Sequence, residues 1–254
     1  MSNAIDKITG ITIGIRFSKL FRISDISGEI IDDMLNNPKS PFDTKFFPLL
    51  NETMSKEKTL KNEYGEYLKI TPSDIIISLR VDKDESFEKR KTLITKEVVP
   101  YLEELFNNYS IEGITRIGVL FFCELESDEK ENNIIKHITK DSIDDVSSFN
   151  LRFSHKRKTM VGILKGGVKD YVNVIYSFSK EEEGRLLLDF DFQKFFVPEL
   201  DKLKEAKIEE IFGKSIENLE SSYTKWIMEY DTQDKKTNRE EKEEKRVEEK
   251  ENEE

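Results

Sequence analysis

The stretch Arg116-Ile-Gly-Val-Leu-Phe-Phe-Cys-Glu-Leu125 constrains the fold more than any other part of the chain. From Thr115 to Leu125 it is rich in β-forming residues and almost continuously apolar, with Val119 to Cys123 wholly so. A short run of this kind predicts a central strand covered on both faces. Around it the sequence alternates with a period of two. Ile11, Ile13, Ile15 and Phe17 alternate with Thr12, Gly14 and Arg16, as in a strand with one buried face. Residues 66–70 and 75–81 flank the turn signal Thr71-Pro72-Ser73-Asp74 and predict a β-hairpin with Ile75, Ile77, Leu79 and Val81 on one face. Further strands are predicted at 149–153, 160–164, 171–178 and 185–192. Lys165-Gly166-Gly167 and Glu183-Gly184 supply the turns of an antiparallel meander over the last three.

Between these segments the period changes to that of helices. Ile23, Ile26, Ile30, Ile31, Met34 and Leu35 fall at helical spacing, with Ser24 and Asp25 as candidate caps and Asn36-Asn37-Pro38 as the stop. Phe87, Ile94, Val98, Tyr101 and Leu105 form a second stripe, which Pro100 should kink or restart. Ser127 is a candidate cap for a short helix carrying Ile134, Ile135 and Ile138, and residues 40–54 predict an irregular segment packed on the core. After Pro198 a long helix is expected, its stripe running from Leu200 through Phe212 to Trp226 and lying across a sheet face. The fold class expected is therefore α+β: mainly antiparallel sheet, amphipathic helices packed on one face, and a long C-terminal helix. Residues 1–230 form the body, which divides into two related halves at 1–126 and 127–230. Residues 231–254, whose sole aliphatic side chain is Val247, predict a disordered or single-helix Glu/Lys tail.

Charge and composition restrict the function classes. The 254 residues carry a net charge of −11, of which the tail accounts for −4, so long-range electrostatics oppose general capture by nucleic acid or by an anionic membrane leaflet. Charged residues reach 37%, yet 17 Phe and 8 Tyr are enough for a folded core. One cysteine and two histidines exclude a disulfide framework and a Cys/His zinc cluster. No apolar run approaches the roughly 20 residues that span a bilayer, and the N-terminus lacks the apolar core of a signal peptide, so a cytoplasmic protein without membrane contact is expected.

No cofactor signature is present. Gly162-Ile-Leu-Lys-Gly-Gly167 lacks the spacing and the Lys-Ser/Thr of a P-loop, and there is no GxGxxG, GxSxG or HExxH. Nucleophilic catalysis would require Cys123 beside His137 or His155, but its apolar strand context predicts a buried, inert thiol. Two clusters are candidates for binding. Asp189 and Asp191 share one strand face, with Arg185 as an ion-pair partner or, alternatively, with a divalent metal between the carboxylates. Arg152, His155, Lys156, Arg157 and Lys158 form the only dense basic run in the acidic body. It is read first as an exposed turn between strands and second as a phosphate-contacting patch beside a base-stacking Phe153.

Arg116, Gly118, Asp189 and Asp191, set in the strand 116–125 and in Leu188-Asp-Phe-Asp191, resemble an uncharacterised, sporadically distributed prokaryotic family. That family has an Arg-x-Gly-Leu-Arg-Tyr-x-Asn strand and a later Leu-Asp-Ile-Asp strand. Leu120, Phe121 and Cys123 replace its Arg, Tyr and Asn. The resemblance implies a prokaryotic source and no established activity. The expectation is a non-enzymatic protein that binds a macromolecular partner, most simply another protein. The alternative is a nucleic-acid- or phosphate-binding protein, metal-dependent if Asp189 and Asp191 hold an ion. Convergence of the aspartates and the basic run on one cleft would favour the alternative.

Overall fold

The alternating segments assemble into one eight-stranded antiparallel sheet in the computed structural model, which describes residues 4–42, 57–82, 86–125, 149–158, 170–180 and 186–224. The strands are β1 (Ile8–Phe17), β2 (Lys58–Lys61), β3 (Tyr67–Ile70), β4 (Asp74–Arg80), β5 (Ile114–Leu125), β6 (Phe149–Lys158), β7 (Tyr171–Lys180) and β8 (Leu186–Leu200). Their order is β2-β3-β4-β1-β5-β8-β7-β6. One connectivity occurs twice in that order: β1 pairs with β4, β4 with β3 and β3 with β2, just as β5 pairs with β8, β8 with β7 and β7 with β6. The first of these sets begins with β1 and the second with β5.

β1 and β5 join the halves with Gly14 opposite Gly118. Ile76 of β4 stands beside Gly14, and Gln193 of β8 stands beside Gly118. Two residues earlier on each of those outer strands come Asp74 and Asp191, which therefore occupy corresponding places about an approximate twofold axis through the glycine pair.

Helices α1 (Phe21–Asn36), α2 (Phe87–Leu93), α3 (Val99–Asn108) and α4 (Ile208–Tyr223) bury one face of the sheet. The rings of Phe17 and Phe106 meet at 5.8 Å, as do those of Phe121 and Phe212, and Phe87 reaches Phe121 at 6.3 Å. Apolar residues of all four helices share one buried cluster with Ile11, Ile13, Ile15, Ile75, Ile77 and Leu79. Burying one face of an antiparallel sheet leaves the opposite face to be made of the alternate residues, and here those mix charged, polar and small side chains with a few apolar and aromatic ones. Among the described residues no helix is long and apolar enough to cross a membrane.

Several local expectations are corrected. β5 lies at the sheet centre, but only alternate residues from Ile117 to Leu125 are fully buried, so it is covered completely on one face and partly on the other. Helix α1 starts at Phe21, before Ser24 and Asp25, and its N-cap Leu20 makes no side-chain hydrogen bond. Pro100 marks a restart of the second helical stretch, as expected, with α3 beginning at Val99. It sits in the first turn of α3, where its missing N–H is harmless, and the discontinuity is a π turn over Ile94–Val98.

The strand expected to end at 192 continues through Pro198 to Leu200 as β8. A 3₁₀ turn, Leu203–Ala206, then leads to Lys207 at φ 52°, and α4 begins only at Ile208. The partner of β7 is β6, which runs to Lys158, so the basic run lies within a strand and not in a turn. The expected strand at 160–164, the helix near 134–138, most of the 40–54 segment, Trp226 and the tail lie outside the described residues.

Candidate functional site

Across the open face, side chains line up in rows set by strand register. One row runs Lys69, Ile76, Gly14, Gly118, Gln193, Asn173 and Lys156 from β3 to β6. The next row toward one end of the strands contains Asp74, Arg16, Arg116, Phe195 and Tyr171. The row on the other side contains Tyr67, Ser78, Thr12, Leu120, Asp191, Ile175 and Ser154. A groove of about 680 Å³ lies over the middle of these rows, reaching from Lys69 and Asp74 to Asp191 and Gln193. The loop residues Thr71 and Ser73, together with Lys19 and Phe21, complete its rim.

The electrostatics of the groove centre on two arginines that face each other. Arg16 stands opposite Arg116 across β1 and β5, and like charges at such positions destabilise a sheet unless something compensates. Asp74 compensates Arg16: Arg16 Nε donates to Asp74 Oδ1 at 2.7 Å. Burial opposes ionisation of Asp74, but the hydrogen bonds from Arg16 and Ser73 outweigh it and hold the carboxyl below its ordinary range.

Arg116 is compensated less directly. Its guanidinium lies 5.7 Å from the Phe195 ring, and its Nε is buried without a hydrogen-bond partner among the described residues. Burial and the neighbouring Arg16 both weaken its hold on its proton, while Asp191 works the other way. Phe195 stacks on Tyr171 at 4.5 Å, and Lys156 Nζ sits 3.9 Å from the Tyr171 ring. The result is a cation–aromatic–aromatic–cation ladder across β5, β8, β7 and β6. Its ring faces are occupied by one another and by the cations, so it fixes Arg116 and Lys156 instead of offering a free stacking platform.

The structure brings part of the sequence-derived set together. Asp189, Asp191, Arg152 and Lys156 lie on this open face, and the Arg152 charge acts on the Asp191 carboxyl. His155 is exposed and alternates with them. Phe153 does not serve the open face: it stacks on Tyr176 at 4.9 Å and on Phe178 at 6.2 Å, beside the core. Arg157 and Lys158 belong to β6, but their side chains, like all of Arg185, lie outside the described residues. Burial pushes the Cys123 thiol up to about 12, which makes it inert at neutral pH, in keeping with its place in β5.

Asp191 is held by Gln193, whose Nε2 donates to Oδ2, and by the charges of Arg116 and Arg152. Burial still pushes its carboxyl upward. Among the described residues no three His, Cys, Asp or Glu side chains gather to hold an ion. Arg16, Lys69 and Asp74 were missed as site residues in the sequence, where Arg16 read as an outward-facing strand position, Lys69 as part of a hairpin strand and Asp74 as part of a turn. Glycine at the middle of both β1 and β5 was the available signal.

Asp189 carries a testable consequence. Burial alone pushes its carboxyl up, so it binds a proton more tightly folded than unfolded. Its contribution to stability is greatest below the unfolded value of about 3.9 and declines as pH rises through the raised folded value. Asp189→Asn is therefore expected to raise Tm at pH 7, with the gain vanishing near pH 3. A lower Tm at pH 7 would show instead that the ionised carboxylate has a stabilising partner.

No family model, curated protein or solved structure matches this chain.

Proposed function

We propose that this is a binding protein whose open sheet face receives a phosphate-bearing ligand. The observation that carries the reading is the opposition of Arg16 and Arg116 at the groove floor, with a buried Arg116 Nε that lacks an acceptor among the described residues. Two like charges placed face to face add nothing to the sheet, whereas a doubly charged anion between them relieves their repulsion and accepts from Arg116 and from the Arg16 N–H groups that Asp74 leaves free. Arg152 and Lys156 extend the cationic surface from the other side of Asp191. The net charge of −11 opposes long-range attraction of polyanions, so recognition rests on local contacts within the groove.

A protein partner is the second reading, favoured by Phe21 and Tyr64, the two large hydrophobic side chains most exposed among the described residues, at 70% and 58%. An acidic segment could use the same arginines.

Fluorescence anisotropy with a labelled single-stranded oligonucleotide tests the primary reading. Binding is expected to weaken with salt, with a log–log slope of about −0.7 for each phosphate contacted. The double variant Arg16→Gln, Arg116→Gln should weaken it at least about a hundredfold, since each lost charge-assisted contact is worth roughly 1.4 kcal/mol or more. Lys214→Ala on α4, on the helical side, should leave it unchanged. Absence of salt-sensitive binding to the wild-type protein, or binding indifferent to the double substitution, would overturn the reading.

A further inference from the structure

Gly14 and Gly118 are not explained by the needs of the fold. Glycine inside a strand weakens it, so a central strand keeps one where a turn, a tight contact or an approaching group requires it. Neither residue has a positive φ, a feature confined among the described glycines to Gly65 and Gly113. Nor is either crowded. Among the described residues a Cβ on Gly14 would meet nothing within 4 Å, and one on Gly118 would make ordinary contacts at 3.9 Å with Asp191 Oδ1 and the Gly14 carbonyl oxygen. Gly10, on the same strand and face, shows what a packing glycine looks like, because a Cβ there would come within 3.1 Å of Phe122.

The two uncrowded glycines stand opposite one another at the bottom of the groove, next to the facing arginines. The surface they create has a definite chemistry. In paired central strands the peptide N–H and C=O groups point sideways into the ladder, so what faces the groove is flat peptide surface and Cα–H. Such a floor offers van der Waals contact to a planar group and no free N–H to a phosphate. Ile76 and Gln193 bound it within its own row, one apolar and one an amide able to hydrogen-bond a ring edge. The anion-binding groups lie one row away, at Arg16 and Arg116.

The geometry points to a nucleotide subsite, with the base lying flat on the Gly14–Gly118 floor and its phosphate between Arg16 and Arg116. The inference rests on the phosphate reading above and deepens it by naming the rest of the ligand. The nucleotide could be free or part of a strand, and the probes separate these sources.

Isothermal titration with AMP, CMP, GMP, UMP, ribose 5-phosphate, pyrophosphate and a short single-stranded oligonucleotide provides the test, on the full-length chain and on Gly14→Ala, Gly118→Ala. Alanine at both positions is expected to leave Tm unchanged or higher, because open space and less backbone freedom in the unfolded chain both favour it. It should also lift the base from the floor and weaken at least one mononucleotide about tenfold or more, while ribose 5-phosphate and pyrophosphate bind both proteins equally. Oligonucleotide binding with no mononucleotide binding would assign the subsite to a strand, provided the alanines weaken it likewise. If phosphate probes bind and the arginine variant loses them, but the alanines change nothing or ribose 5-phosphate matches every nucleotide, the base subsite is wrong and the phosphate reading survives. If no phosphate probe binds the wild-type protein, both fail. A fall in Tm of the alanine variant would give the glycines a structural role and overturn the inference.

Discussion

Phe121→Ala is expected to cost about 3–5 kcal/mol in denaturant unfolding, the usual range for deleting a fully buried aromatic ring. Phe121 is 0% exposed at the middle of β5, and its ring lies 5.8 Å from Phe212, 6.3 Å from Phe87 and 6.3 Å from Phe190. It thus ties α2 and α4 to the neighbouring strands β5 and β8. A cavity there cannot close without moving a helix or a paired strand, and neither moves freely in a close-packed interior. A loss below about 1 kcal/mol would mean that the helices do not rest on this ring.

Glu66→Ala is expected to have an effect of similar size through a different cause. Glu66 is 2% exposed and accepts at both oxygens: from Asn62 Nδ2 at 2.7 Å, from the Arg80 backbone N–H at 3.1 Å, and from the Arg90 guanidinium at 3.3 Å. It joins the β2–β3 turn, the end of β4 and helix α2 in one polar knot. Removing the carboxylate leaves a backbone donor and a nearly buried guanidinium without that acceptor, for which about 3–5 kcal/mol is typical. Glu66→Gln, which keeps one acceptor oxygen, should lose less. Equal stability of the alanine variant and the wild-type protein would show that Arg90 and Arg80 are satisfied by other groups.

The sheet was legible because alternation is a local signal. Ile11, Ile13, Ile15 and Phe17, like Ile75, Ile77 and Leu79, read directly as one buried face, and both sets are core residues. Boundaries set by tertiary contacts were less legible. β8 runs past its alternating stretch because its register with β5 continues through Phe195 and, after an irregularity, to Leu200, so α4 begins later than its apolar stripe suggests. The basic run was read as a turn because it lies between the strands expected at 149–153 and 160–164, yet pairing with β7 holds residues 149–158 extended.

The candidate site was legible only in part, for a similar reason. Asp189, Asp191 and Arg152 could be singled out by type and spacing, but the opposition of Arg16 and Arg116 is a property of register between strands about a hundred residues apart. Register is fixed by which faces are buried once the sheet assembles, and no local pattern states which residue will face which. Glu66 was invisible in the same way, since a glutamate beside a turn ordinarily points into water.

The most direct measurement of where a ligand sits is the change in amide chemical shifts of ¹⁵N-labelled protein titrated with a mononucleotide or short oligonucleotide. The largest changes are expected at Thr12, Gly14, Arg16, Arg116, Gly118 and Gln193, with smaller ones on β6 and none on the exposed side of α4. Shifts concentrated on α4, or scattered without reference to the Gly14–Gly118 row, would contradict the assignment of ligand binding to the open face of the sheet.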